Sequence, residues 1–123
     1  MLLLWRTLGL QNVIVGAILA IATTSAMAEG AIAQSDDGRF GLSYNHSSAE
    51  TADDVALSGC GADCKIVEHF HAACAAIARN RLGGFGYGVK PYEGQAQHEA
   101  YSVCERKHQG CGLYLSGCDK GGD

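Results

Sequence analysis

Several of the usual carriers of chemistry are missing from this sequence. It contains no Gly-x-Ser-x-Gly element, which excludes the common serine-hydrolase arrangement. The one glycine-rich run, Gly83-Gly84-Phe85-Gly86-Tyr87-Gly88, lacks the Lys-Ser/Thr pair of a phosphate-binding loop. It also leads into strand residues rather than a helix, so a role in sheet packing is expected. Asp54, Glu68 and Glu99 do not form a pair of carboxylates at a fixed spacing and read as solvated charges. The apolar run from Val13 to Ala22 is too short for a membrane span. Basic charge is also scarce, with 9 Lys and Arg against 13 Asp and Glu. That deficit argues against binding to nucleic acid or anionic lipid through electrostatics.

The apolar run instead has the form of an export signal. Arg6 supplies a positive start, Val13 to Ala22 the apolar middle, and Ala26-Met27-Ala28 a small-x-small cleavage site. Residues 1–28 are therefore read as a signal peptide, and no membrane association is expected after its removal. The chain from Glu29 holds 95 residues with a net charge of −5, enough for one small domain over 29–119. Residues 120–123 read as a flexible tail.

What this chain has in quantity is repetition and cysteine. Ala31-Ile32-Ala33, Gly38 and Phe40-Gly41 recur 45 residues later as Ala76-Ile77-Ala78, Gly83 and Phe85-Gly86. After a one-residue slip the match continues from Ala52, Ala56, Ser58 and Cys60 to Ala96, Ala100, Ser102 and Cys104. The domain is thus a tandem of two units, 30–74 and 75–118.

Within the first unit, Glu29 to Gln34 suits a buried strand and Ser35-Asp36-Asp37-Gly38 a turn. Arg39 to Tyr44 alternates as a half-buried strand does. Ser47 to Gly59 has helical spacing, with Ser47 and Glu50 as a capping box and Ala49, Ala52, Val55, Ala56 and Cys60 inward. Lys65 to His71 alternates again. The second unit repeats this order, with Pro91 in the first turn of a helix that runs to about Cys104. The expected fold is α+β, two pseudo-symmetric β-β-α-β units sharing a mostly antiparallel sheet with two helices.

All six cysteines lie beyond the export signal, which reads as a disulfide framework formed outside the cytoplasm. Pseudo-symmetry favours Cys60–Cys64 and Cys104–Cys111 within the units, and Cys74–Cys118 between them. The competing reading is zinc, held by Cys60-x3-Cys64 with His69 and His71. An oxidising compartment favours the disulfides, so no metal and no cofactor are expected.

His69 and His71 share one face of a strand, and two ligands are too few for a structural metal site. Together with Tyr44, Tyr87 and Tyr92, which suit a recognition surface, they are the candidate binding residues. No residue is assigned a catalytic role.

The doubled Ala-Ile-Ala and Gly-x-Phe-Gly elements, the Cys-x3-Cys and the Ala-Cys-Ala-Ala-Ile-Ala stretch resemble the DUF4189 family of small exported bacterial proteins, over nearly all of Gly30 to Cys118. Members usually carry a tryptophan in the first hairpin, where this chain has Leu42. The resemblance implies bacterial origin, export and a disulfide-linked fold, and some members are thought to be secreted effectors. It transfers no catalytic residue. The expected role is a periplasmic or secreted binding module for a protein or cell-envelope component. The alternative is a secreted effector or small enzyme with a site built on His69 and His71.

Overall fold

In each copy of the repeat, the isoleucine and its flanking alanines point to opposite faces of a strand, and all of them are fully buried. The computed structural model describes residues 28–119. Its elements run β1 (Glu29–Gln34), β2 (Phe40–His46), α1 (Ala49–Cys60), β3 (Lys65–His71), β4 (Cys74–Arg79), β5 (Phe85–Lys90), α2 (Glu93–Lys107) and β6 (Gly112–Cys118). The expected export segment, apart from Ala28, and the expected tail lie outside the described residues. None of the described helices is long and apolar enough to cross a membrane.

The β-β-α-β order holds in both units, but the single shared sheet needs correction. There are two three-stranded antiparallel sheets, ordered β2-β1-β3 and β5-β4-β6. The reason lies in those doubly apolar strands. Ile32, Phe40 and Phe70 of the first sheet meet Ala75 and Ile77 of the second. On the outer faces, α1 covers Ala31 and Ala33, and α2 covers Ala76 and Ala78. One continuous sheet would leave the isoleucine face in water; stacking two sheets buries it, giving four layers. The repeated phenylalanines meet between the sheets, where Phe40 and Phe85 stand edge to face with centroids 5.2 Å apart, a favourable aromatic geometry.

The repeated glycines explain how the helices get so close. A Cβ at Gly41 would lie 2.0 Å from the carbonyl oxygen of Ala56, and one at Gly86 2.5 Å from the backbone nitrogen of Cys104. Helix α1 is capped by Ser48, whose side chain accepts from the Thr51 N–H at 3.1 Å, rather than by Ser47. Val55, expected inward, is 41% exposed, because the contact with the sheet is only wide enough for Ala52, Ala56 and Cys60. Helix α2 continues one turn past Cys104 and ends on Arg106 and Lys107, cations suited to the negative end of a helix.

The expected disulfide pairing is present, and no cysteine is free. Cys60–Cys64 and Cys104–Cys111 pin each helix end to the chain entering the next strand. Cys74–Cys118 has a different role from the one expected. These residues are register partners in β4 and β6, so the bond closes the second sheet and does not tie the units together. Cys74 opens β4 rather than ending the first unit, which is why sequence symmetry misplaced it.

A carboxylate links the units instead. Asp119, 1% exposed, donates its N–H to the Ala73 carbonyl at 2.8 Å. Its Oδ1 accepts the Asn45 N–H at 2.8 Å, while Oδ2 is buried without a hydrogen-bond partner. Burial pushes the Asp119 carboxyl above its ordinary value; the hydrogen bond from Asn45 works against this, and the charge of Glu29 adds to the rise.

Two outcomes follow from this packing. Gly41→Ala and Gly86→Ala should each destabilise by about 1–3 kcal/mol or more, since backbone must move to admit a methyl. Gly94→Ala in α2, with nothing within 4 Å of the added Cβ, should stabilise by about 0.4–1 kcal/mol; denaturant melts of the three variants read both signs. For Asp119, a raised folded-state pKa means the folded chain holds a proton that the unfolded chain releases. Stability from this group is therefore present below the ordinary aspartate value of about 3.9 and lost as pH rises through the folded value. Asp119→Asn should flatten that decline in unfolding experiments run between pH 4 and pH 7 (roughly the range above the ordinary aspartate value).

Candidate functional site

Strand β3 is an edge of the first sheet, and a register shift against β1 between Ile32 and Ala33 resets its alternation. The shift leaves Val67 without a partner and places Ile66 with the helix-facing cluster. His69 lies opposite Ala31 and His71 opposite Glu29, so both histidines look toward the helix side of the sheet. Each meets its own carboxylate. His69 Nε2 is 2.7 Å from Asp53 Oδ1 on α1, and His71 Nδ1 is 3.0 Å from Glu29 Oε2 on β1. Glu68, three residues before His71, pairs with Ile32 on the opposite face.

These are two separate, largely exposed pairs rather than one convergent centre. Among the described residues no three His, Cys, Asp or Glu side chains come together as a metal site. The cysteines of the competing zinc reading are taken up in disulfides.

The pseudo-symmetry shows what occupies the same places in the second unit. Glu29 and His71 correspond to Cys74 and Cys118, again facing each other in register at the end of the sheet. Asp53 and His69 correspond to Gln97 and Ser116, where Gln97 Nε2 donates to Ser116 Oγ at 3.1 Å. Ser116 in turn donates to Glu93 Oε2 at 2.7 Å. Both histidine positions are thus places where the fold fastens its edge strand to the strand or helix beside it.

The tyrosines are dispersed. Tyr44 is exposed, with one side of its ring against Gly117 of β6, so it covers the seam between the units. Tyr92 is 52% exposed at the entry to α2. Tyr87, expected at the surface, packs between the sheets beside Ile77, and burial raises its hydroxyl pKa, helped by the charge of Glu68. The five candidate residues therefore do not form one surface.

Sequence reasoning missed two grooves in the second unit. One, of about 560 Å³, lies against α2 and is lined by Lys90, Pro91, His98 and Glu99 among others. The other, of about 360 Å³, runs beside β6 and is lined by Arg79, Arg81, Leu113 and Tyr114 among others. In it the Arg79 guanidinium sits 3.6 Å from the centre of the Tyr114 ring, a cation–π distance. The only hint in the sequence was the proximity of Arg79 and Arg81 to the turn, without the strand that faces them.

Comparison with known proteins sets this arrangement in context. The chain is 38% identical over 72 residues to Protein Rv1269c of Mycobacterium tuberculosis and, to the same extent, to Protein Mb1300c of Mycobacterium bovis. Each match covers 58% of this chain and 56% of the relative, so the chain spans about half the length of the curated relatives it matches. In architecture it is similar to Rv1813c from Mycobacterium tuberculosis, whose NMR structure superposes with a TM-score of 0.60 over 89% of this chain and 90% of that one, at 24% identity. That likeness concerns the fold alone. The profile of the domain of unknown function DUF4189 matches residues 30–118, and the chain belongs to that family.

Proposed function

We propose that the protein is a non-enzymatic binding module that works in the periplasm or outside the cell and engages a protein or envelope component. Its three disulfides are the covalent pattern of a chain that matures away from the reducing cytoplasm. The observation that carries the reading is the equivalence just described. His69–Asp53 and His71–Glu29 occupy positions that the second unit fills with a Ser–Gln hydrogen bond and a disulfide. Groups interchangeable with a disulfide are fasteners, and an exposed fastener needs no reactivity. Recognition then falls to the exposed surface, where Tyr44 and Tyr92 remain available.

Two measurements test this. Saturable binding to an envelope fraction or a purified envelope component should survive His69→Ala/His71→Ala within about twofold in Kd, a change under RT. A hydrolytic activity that the double variant abolishes would establish the effector or enzyme reading instead. The fastener role has its own check. Glu29→Cys/His71→Cys should form a fourth bridge, confirmed by peptide mapping. With a sequence separation of 42, it should raise stability by up to about 4 kcal/mol on the chain-entropy model.

A further inference from the structure

The turns β1–β2 and β4–β5 lie side by side at one end of the molecule. A Cβ on Gly38 would be 3.7 Å from the Gly83 carbonyl oxygen, and Arg79 Nη1 donates to the Gly38 carbonyl at 3.4 Å. Each unit forms a groove there from equivalent positions, and the two grooves carry opposite charge. The first, of about 300 Å³, is lined by Ser35, Asp36, Asp37, Arg39 and Asp63. In the second, the positions of Asp36, Asp37 and Asp63 are taken by Arg81, Leu82 and Gly110. The inversion extends through the whole unit. Residues 29–73 carry 8 acidic and 2 basic side chains, whereas residues 74–119 carry 4 acidic and 5 basic.

The two halves do not neutralise each other within one molecule. The contact across the turns goes to a carbonyl, and Asp36, Asp63 and Arg81 enter no ion pair among the described residues. The basic half is also apolar, with Leu82 93% exposed, Leu113 52% and Tyr114 43%.

A face that is acidic on one side and basic on the other, about a near two-fold axis, is complementary to itself. Turned by 180° onto a second copy, the acidic half of each meets the basic half of the other, as an isologous interface requires. We propose that this end of the molecule is a self-association surface whose partner is a second copy of the chain. In the dimer, Asp36 and Asp63 of each copy oppose Arg81 of the other, and Leu82 and Tyr114 are covered. An acidic peptide from another protein would satisfy only the basic half and leave the acidic half unused, so the second copy is the better fit. The contacts are mainly exposed charge pairs, so the dimer should be salt-sensitive and reversible.

Sedimentation equilibrium of the purified, oxidised protein decides the matter. Native protein should dimerise at about 10 mM ionic strength, where the Debye length is roughly 30 Å, and dissociate near 1 M, where it is roughly 3 Å. Arg81→Glu and Asp36→Lys should each weaken association about tenfold or more, because each places like charges opposite one another twice per dimer. An equimolar mixture of the two variants should associate more tightly than either alone, since one side of the mixed dimer keeps Asp36 against Arg81 and the other sets the new lysine against the new glutamate. Matched thermal melts and disulfide maps verify that the variants are folded. A native chain that stays monomeric at low salt overturns the proposal. So does association that neither reversal alters, a mixture no tighter than its parts, or a monomer that captures an acidic peptide through Arg81.

Discussion

The helices reach their sheets only because the strands beneath them offer methyl groups or hydrogen. Ala31, Ala33 and Gly41 lie under α1, and Ala76, Ala78 and Gly86 under α2. Side chains this small permit close approach but remove little apolar area from water, and apolar burial stabilises by only about 25 cal/mol per Å². The helices therefore need other attachments. Each is bonded through its last buried cysteine to the chain that follows. In the first unit Arg39 also binds the carbonyls of Cys60 and Ala62, at 3.2 and 2.7 Å, where a cation favourably meets the helix C-terminal end. The bulkier residues, Phe40, Ile32, Ile77 and Phe85, are all spent between the sheets.

Duplication left the backbone plan intact and changed the chemistry at corresponding points. A disulfide in one unit stands where the other has an ion pair, and a Ser–Gln bond stands where the other has a histidine and an aspartate. The place of Arg39 is taken in the second unit by Gly84, against which the His108 ring lies. Such exchanges are tolerated because each site asks only that two elements be held together. Several side-chain pairs meet that requirement.

How much of this was legible in the sequence depends on the range of the interaction. The strands, turns and helices were readable from local periodicity and the repeat, within a residue or two at their ends. The local disulfides followed from the pseudo-symmetry of the repeat. The number of sheets was not legible, because alternating Ala-Ile-Ala shows that both faces are buried but not whether another sheet or a neighbouring strand does the burying. Cys74 was assigned to the wrong unit because matching at 44 residues ignores the extra residues before β6. For His69 and His71, the shared face was readable; their separate partners, Asp53 and Glu29, lie 16 and 42 residues away. Tyr87 looked like a surface residue only because a tyrosine beside glycines does not reveal which side of a strand is enclosed.

The register shifts in β3 and β6 fall at corresponding places, between Ile32 and Ala33 and between Ile77 and Ala78 of the central strands. Both lie on outer strands, whose unpaired amides and carbonyls would otherwise offer a straight template to any passing chain. An irregularity there bends the strand and breaks the even spacing of its hydrogen-bonding groups. Sheets of only three strands, stacked rather than joined, have edges in plenty. Val67 and Tyr114 are the residues left over at the two kinks, and they make each of these open borders an uneven template for another chain.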